Sequence, residues 1–174
     1  MRRVQRSLFT ALGILVLAAP ASAQRAEEIV RWRAVGPAAA VRPGATFEIE
    51  LSAEVEPGWH VYAMSQLQGG PRPLLIEIPR GHPFAVRVKD IVAPLPSMAE
   101  DPNFNLVTQF YADSLTLTVP ATVARAARGK LALPLDVTFQ ACSARVCLRP
   151  FTTTLTVPVT VAAEPRGRRR GRAR

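Results

Sequence analysis

The chain reads as all-β, a single antiparallel β-sandwich of immunoglobulin type, on three observations. Four long runs alternate apolar with polar residues, proline and glycine turns separate them, and no 3.6-residue pattern is sustained. Taken in order, a short strand is expected over 29–35, ended by Gly36-Pro37. Pro43-Gly44 then leads into the clearest run, where Phe47, Ile49, Leu51, Ala53 and Val55 interleave with Glu48, Glu50, Ser52, Glu54 and Glu56. Residues of one parity therefore face a core and those of the other face water. Shorter strands are expected over 59–64, 74–78, 84–91 and 107–111, punctuated by Pro57-Gly58, Gly69-Gly70-Pro71 and Gly81-His82-Pro83. Leu115, Leu117 and Val119 alternate with threonines; the next segment, 121–127 between Pro120 and Gly129, is the nearest approach to a helical pattern. Leu131, Leu133, Leu135, Val137 and Phe139 form one further strand, and Leu155, Val157, Val159 and Val161 the last. Pro134 and Pro158 interrupt these two runs, which places each on an edge or at a bulge.

The ends differ from this body. Residues 1–23 have the form of a cleaved signal peptide: Arg2, Arg3 and Arg6, an apolar stretch over 8–19, and Ala21-Ser22-Ala23 before Gln24. That stretch is short for a membrane span. Export implies a periplasmic or secreted domain over 24–163. Residues 164–174 carry six arginines and two glycines and are expected to be a disordered tail. It serves either as a weak peripheral contact to anionic lipid or an acidic partner, or as a solvated end. Of the formal net charge of +9, all but +1 arises at these ends. Between them 13 basic residues face 12 acidic ones, which removes the electrostatic case for nucleic acid.

Chemistry is concentrated in Phe139-Gln140-Ala141-Cys142-Ser143-Ala144-Arg145-Val146-Cys147-Leu148-Arg149-Pro150, which holds the only two cysteines. An exported pair meets oxidising conditions, so it either staples the fold or exchanges with other thiols. A bridge closing so small a loop constrains the unfolded chain by only roughly 2 kcal/mol, less than one between distant strands. The balance therefore favours chemistry. The pair is expected to flank a tight turn, with 138–141 entering and 148–152 leaving. Two cysteines with two scattered histidines lack zinc-ligand spacing, and the sequence offers no phosphate loop or serine nucleophile motif, so no metal and no cofactor is expected. A C-x-x-C motif on a helix, the mark of a thioredoxin, is also missing.

Four stretches in order give the chain a resemblance to a known family. They are Pro57-Gly58-Trp59-His60-Val61-Tyr62; Gly69-Gly70-Pro71 before the strand at 74–79; Phe104 with Tyr111, Asp113, Leu115, Thr116 and Leu117; and Thr138-Phe139-Gln140-Ala141-Cys142 with Cys147 and Pro150. Over roughly residues 27–161 the chain resembles the amino-terminal periplasmic domain of the thiol:disulfide interchange protein DsbD. The resemblance implies a stand-alone immunoglobulin-like domain whose Cys142 and Cys147 cycle between dithiol and disulfide. Cys147 would form the mixed disulfide and Cys142 would resolve it. It further implies Phe104 as an aromatic cap on a loop, His60 and Tyr62 lining the site, thioredoxin-fold periplasmic partners, and a separate DsbD-like membrane protein as electron donor. Two departures stand out. Four residues rather than five separate the cysteines, and Pro102-Asn103 precede Phe104 where the family commonly has acids, with Glu100 and Asp101 shifted upstream.

Each residue also has a plainer role. Phe104 is equally a loop phenylalanine packed on the core, His60 an ordinary strand histidine, and Tyr62 a filler between strands. Trp59 faces away from His60 and reads as core. Arg145 and Arg149 either favour a thiolate or are solvated charges. The rival to a relay is a secreted binding or assembly module whose permanently oxidised hairpin stiffens a recognition loop.

Overall fold

The computed structural model describes residues 25–163; the signal-peptide reading of 1–23 and the tail reading of 164–174 lie outside these residues. One helical turn, α1 (Ala26–Ile29), buries Ala26 and Ile29 and passes into β1 (Val30–Val35). There follow β2 (Thr46–Val55), β3 (Trp59–Tyr62), β4 (Leu75–Glu77), β5 (Phe84–Val86), β6 (Ser97–Asp101) and β7 (Leu106–Ala112). The chain continues as β8 (Ser114–Val123), β9 (Gly129–Phe139), β10 (Ala141–Ser143) and β11 (Phe151–Val161). The Pro43-Gly44 and Pro57-Gly58 pairs make tight turns. Ala45 N–H bonds Arg42 O at 3.0 Å, and Trp59 N–H bonds Glu56 O at 3.0 Å. Gly44 and Gly58 supply the positive φ, 77° and 83°, that such a turn demands at its third residue.

All paired strands run antiparallel, giving the immunoglobulin-like sandwich. One sheet has the order β1-β2-β8-β5; the other side is built from β11-β9-β4 and β10-β3-β7-β6. Alternation translates directly into burial. Ile49 and Leu51 of β2, Leu117 and Val119 of β8, and Leu133, Leu135 and Val137 of β9 are fully enclosed in one core, which Val61 of β3 joins. Their burial from both sides drives the collapse of the sandwich.

The sequence-based expectations need correction in a few places. The segment 121–127 is not helical: β8 runs on to Val123, with Ala121 paired to Phe47 of β2 and Val86 of β5. Pro120 does not stop it because its carbonyl, and with it its ring nitrogen, faces the edge just past the end of β5, where Arg87 N–H bonds Pro120 O at 2.8 Å. The expected strand over 84–91 ends at Val86 and gives way to a 3-10 turn, Val88–Asp90. Strand β6 escaped the pattern because Ser97, Met98, Ala99 and Glu100 are all exposed, leaving no alternation to detect. The two strand prolines sit as expected. Pro158 lies on β11 at the end of its sheet, and Pro134 lies beyond the last residue that β4 pairs, Asp136.

The feature that positions the site is a change of sheet. β9 pairs with β11 as far as Phe139↔Phe151, and after Gln140 the chain joins β3 as β10. Gln140 secures this step with both ends of its amide: Nε2 donates to Leu148 O at 3.2 Å, and Oε1 accepts Arg72 N–H at 3.0 Å. Phe139 anchors it from the core side against Trp32 and Phe151, with ring centroids 5.7 and 6.1 Å away. Replacing Phe139 with Ala is expected to destabilise the domain by about 3–5 kcal/mol in urea unfolding. A loss below about 1 kcal/mol would mean that the aromatic cluster does not anchor the step.

Candidate functional site

Strand register decides which side chains meet. Residues directly opposite in neighbouring strands share a face. His60 lies opposite Cys142 of β10 and Ala112 of β7, and Tyr62 lies opposite Phe110. Cys142, His60, Tyr62 and Phe110 therefore share one face of the β10-β3-β7-β6 sheet. The alternate residues Ala141, Val61 and Tyr111 face the core, and all three are buried.

The cysteines form a disulfide between facing residues, with 4.1 Å between Cα atoms. The hydrogen bonds Ser143 N–H to Val146 O (2.8 Å) and Leu148 N–H to Ala141 O (2.9 Å) flank the pair, so Cys142 and Cys147 occupy the closely spaced, non-hydrogen-bonded position. Ser143 Oγ tightens the turn by accepting the Arg145 and Val146 N–H groups at 3.3 and 3.2 Å. The expected tight turn is present, and the two cysteines differ in burial: Cys142 is 0% exposed, whereas Cys147 is half-buried.

Phe104, His60 and Tyr62 all gather here. Tyr62 Oη lies 3.7 Å from Cys147 Sγ. His60 and Phe104 meet the Tyr62 ring edge-on at centroid distances of 5.1 and 5.9 Å, and Phe110 lies 4.9 Å from His60. Tyr62 occupies the face away from the core, yet it is 0% exposed, because the β6–β7 hairpin folds over it. Beside it a cavity of about 330 Å³ is lined by His60, Phe110, Asp101, Asn103, Ser143 and Ala144 among others.

The group that sequence reasoning missed is Asp101. It is 4% exposed, and its Oδ2 accepts the Tyr62 hydroxyl at 2.6 Å. Its Oδ1 accepts Asn103 N–H at 2.8 Å and Asn103 Nδ2 at 3.1 Å. The available signal was Asp101-Pro102-Asn103, an acid able to hold the backbone two residues on. Burial opposes its ionisation most strongly. The bonds from Tyr62 and Asn103, together with His60, outweigh burial and hold the carboxyl below its ordinary range. Tyr62 is pushed up, first by burial and then by the Asp101 bond and charge, so it keeps its proton. That single proton is committed to Asp101, which leaves a lone pair of the tyrosine oxygen facing Cys147 sulfur. His60 Nε2 stands 3.8 Å from Asp101 Oδ2, beyond hydrogen-bond reach, and has no hydrogen-bond partner among the described residues. Burial lowers its affinity for a proton more than the neighbouring carboxylate raises it.

Comparison with known proteins agrees with this architecture. The family model described as the N-terminal part of the thiol:disulfide interchange protein DsbD matches residues 27–159. Among solved structures, the chain is similar to the reduced DsbD N-terminal domain of Neisseria meningitidis. The identity is 13% and the TM-score 0.52, over 79% of this chain and 90% of that one, a likeness of fold. It is also similar to the N-terminal periplasmic domain of ScsB from Proteus mirabilis, at 21% identity and TM-score 0.46, over 76% of this chain and 45% of that one. No curated protein matches the chain in sequence.

Two outcomes test the electrostatics. Tyr62→Phe deprives a buried carboxylate of one donor and is expected to cost about 1–3 kcal/mol in urea unfolding; an unchanged midpoint would show that Asp101 does not depend on the bond. For pH, the unfolded chain protonates His60 at its ordinary 6.5, while the folded chain does so only at lower pH. Between those values the unfolded state binds more protons, so stability falls as pH drops below 6.5. Asp101, depressed from 3.8, adds a second loss as pH falls from 3.8 through its folded value. His60→Gln is expected to flatten the first decline and leave the second; an unaltered profile would contradict the assignment.

Proposed function

The chain belongs to the family of DsbD N-terminal domains, and on that premise we propose that it is a periplasmic thiol-disulfide carrier, with Cys142 and Cys147 as its working pair. The observation that carries this is the asymmetry of the bridge. Cys142 is sealed in the sheet, whereas Cys147 is half-buried where the hairpin leaves its turn, beside a phenolic oxygen. A staple gains nothing from burying its two cysteines unequally, whereas exchange requires that a foreign sulfur approach one of the two.

In the electron-donating direction, the Cys147 thiolate attacks a partner's disulfide. A sulfur–sulfur bond forms to Cys147, and the partner's other sulfur leaves as a thiolate. The Cys142 thiolate then attacks Cys147 sulfur, closing the Cys142–Cys147 bond and releasing the partner's second thiolate. Two electrons pass to the partner, and the pair ends as the disulfide; the reverse sequence reloads it. Tyr62 contributes an acceptor for the Cys147 S–H of the reduced form, because its own proton points at Asp101. Phe104 acts as the cap, packing on Tyr62 until a partner displaces the loop. The partners are thioredoxin-fold periplasmic proteins, and a DsbD-like membrane electron donor supplies electrons. The chemistry is direct exchange between sulfurs and calls for no cofactor. Residues 1–23 direct export and 164–174 form the tail, so the carrier itself is 24–163.

The reduction potential of the pair, measured by equilibration with glutathione and dithiothreitol buffers, is expected to lie within about −120 to −270 mV, the range of exchanging dithiols. Cys147→Ala should abolish transfer, and Cys142→Ala should accumulate a mixed disulfide with a thioredoxin-fold acceptor. A potential below about −300 mV, with no mixed disulfide trapped, would sink the relay in favour of a structural bridge.

A further inference from the structure

The loop of residues 102–105 is self-contained. Asp101 O accepts both Phe104 N–H (3.2 Å) and Asn105 N–H (2.8 Å), and Asn105 turns the chain at φ 52°. Asp101 Oδ1 holds the near side through Asn103. These bonds fix the shape of the loop without reference to the cysteines. What fixes its position over them is a different matter. Among the described residues a single hydrogen bond joins this loop to the cysteine strand, from Asn103 Nδ2 to Ser143 O at 3.2 Å.

The geometry suits a latch. The amide nitrogen carries two hydrogens. One is spent on Asp101 Oδ1, within the loop's own base, and the other reaches Ser143 O across the gap. Ser143 follows Cys142 directly, and it also organises the turn that presents Cys147. We propose that Asn103 is the positioning residue that latches the cap loop shut, setting how often an incoming thiolate reaches the Cys142–Cys147 bridge. Asn103 is exposed, so water competes for its bond. A solvated neutral hydrogen bond biases an equilibrium by about two- to tenfold, enough to keep the loop closed on average and weak enough for a partner to open it. An aspartate in its place has no N–H to offer and sets a second charge beside Asp101, so Asn103 is chemically distinct from the acid of the same shape.

This inference rests on the relay reading, and its test separates the two. Oxidised protein spanning 24–174 is mixed with excess dithiothreitol, and loss of the bridge is followed by thiol counting. A dithiothreitol thiolate attacks one sulfur and the other cysteine leaves as a thiolate; the second reagent thiolate then attacks the mixed disulfide, closing the reagent ring and releasing the first cysteine as a thiolate, so two electrons enter the protein. Asn103→Ala is expected to react about two- to tenfold faster than wild type, and Asn103→Asp at least as fast, with the reduction potential unchanged and the thermal midpoint lowered by loss of the Asn103–Asp101 bond. An open latch speeds both directions equally, so rate moves while potential does not. Equal rates in wild type and Asn103→Ala would overturn the latch and leave the relay standing. A potential that shifts by the full rate ratio would also overturn it, because Asn103 would then act on the bridge rather than on access. A wild-type bridge that fails to exchange even with strong reductant would defeat the relay itself.

Discussion

A carboxylate that is almost sealed from water must be paid for with hydrogen bonds, and the site is arranged around that requirement at Asp101. Its three donors come from two places, the Tyr62 hydroxyl on β3 and the backbone and side chain of Asn103 in the loop. Satisfying one buried charge thus fixes the tyrosine oxygen beside Cys147 and shapes the loop that carries Phe104. The same interaction commits the only proton of Tyr62, which decides that its oxygen meets the sulfur as an acceptor. Stability and the surroundings of Cys147 are coupled through these few bonds.

The core performs a different task. The sandwich layers bury a continuous set of aliphatic residues, and this rigid body holds β3 and β7 as a platform for the site. The cysteine-bearing strand is attached to the platform by the shift at Gln140, where β9 leaves one sheet and β10 enters another. A continuous hairpin would have carried both cysteines along the β9–β11 ladder. The shift instead lays Cys142 opposite His60 on the tyrosine-bearing face and leaves Cys147 at the margin.

The contrast between the two bonds around the Phe104 loop follows from solvent exposure. The Tyr62–Asp101 bond is buried and persists, while the Asn103–Ser143 bond is wet and exchangeable. The histidine at position 60 sits between these regimes, packed against Tyr62 and Phe110, its Nε2 near Asp101 without a hydrogen-bond partner among the described residues. Its burial favours the neutral ring, so in the folded protein at neutral pH the carboxylate is the charge that organises the site.

Much of this was legible in the chain itself, because alternation is local. The period-two runs at 47–55, 115–119, 131–139 and 155–161 specify half-buried strands wherever they pair, and the four-residue cysteine spacing specifies a tight turn. The motifs around Trp59, Phe104 and Cys142 also sufficed to indicate the family. The segment 121–127 misled because several alanines fit either period, and the choice fell to its neighbours in β2 and β5. Only the tertiary structure decided which face the site occupies and what completes it. Asp101 and Tyr62 are 39 residues apart, and Asn103 and Ser143 are 40 apart. Their meeting depends on the register of distant strands, and a shift of one residue would turn each side chain to the other face. Strand β6, exposed along most of its length, carries no pattern from which that register can be read.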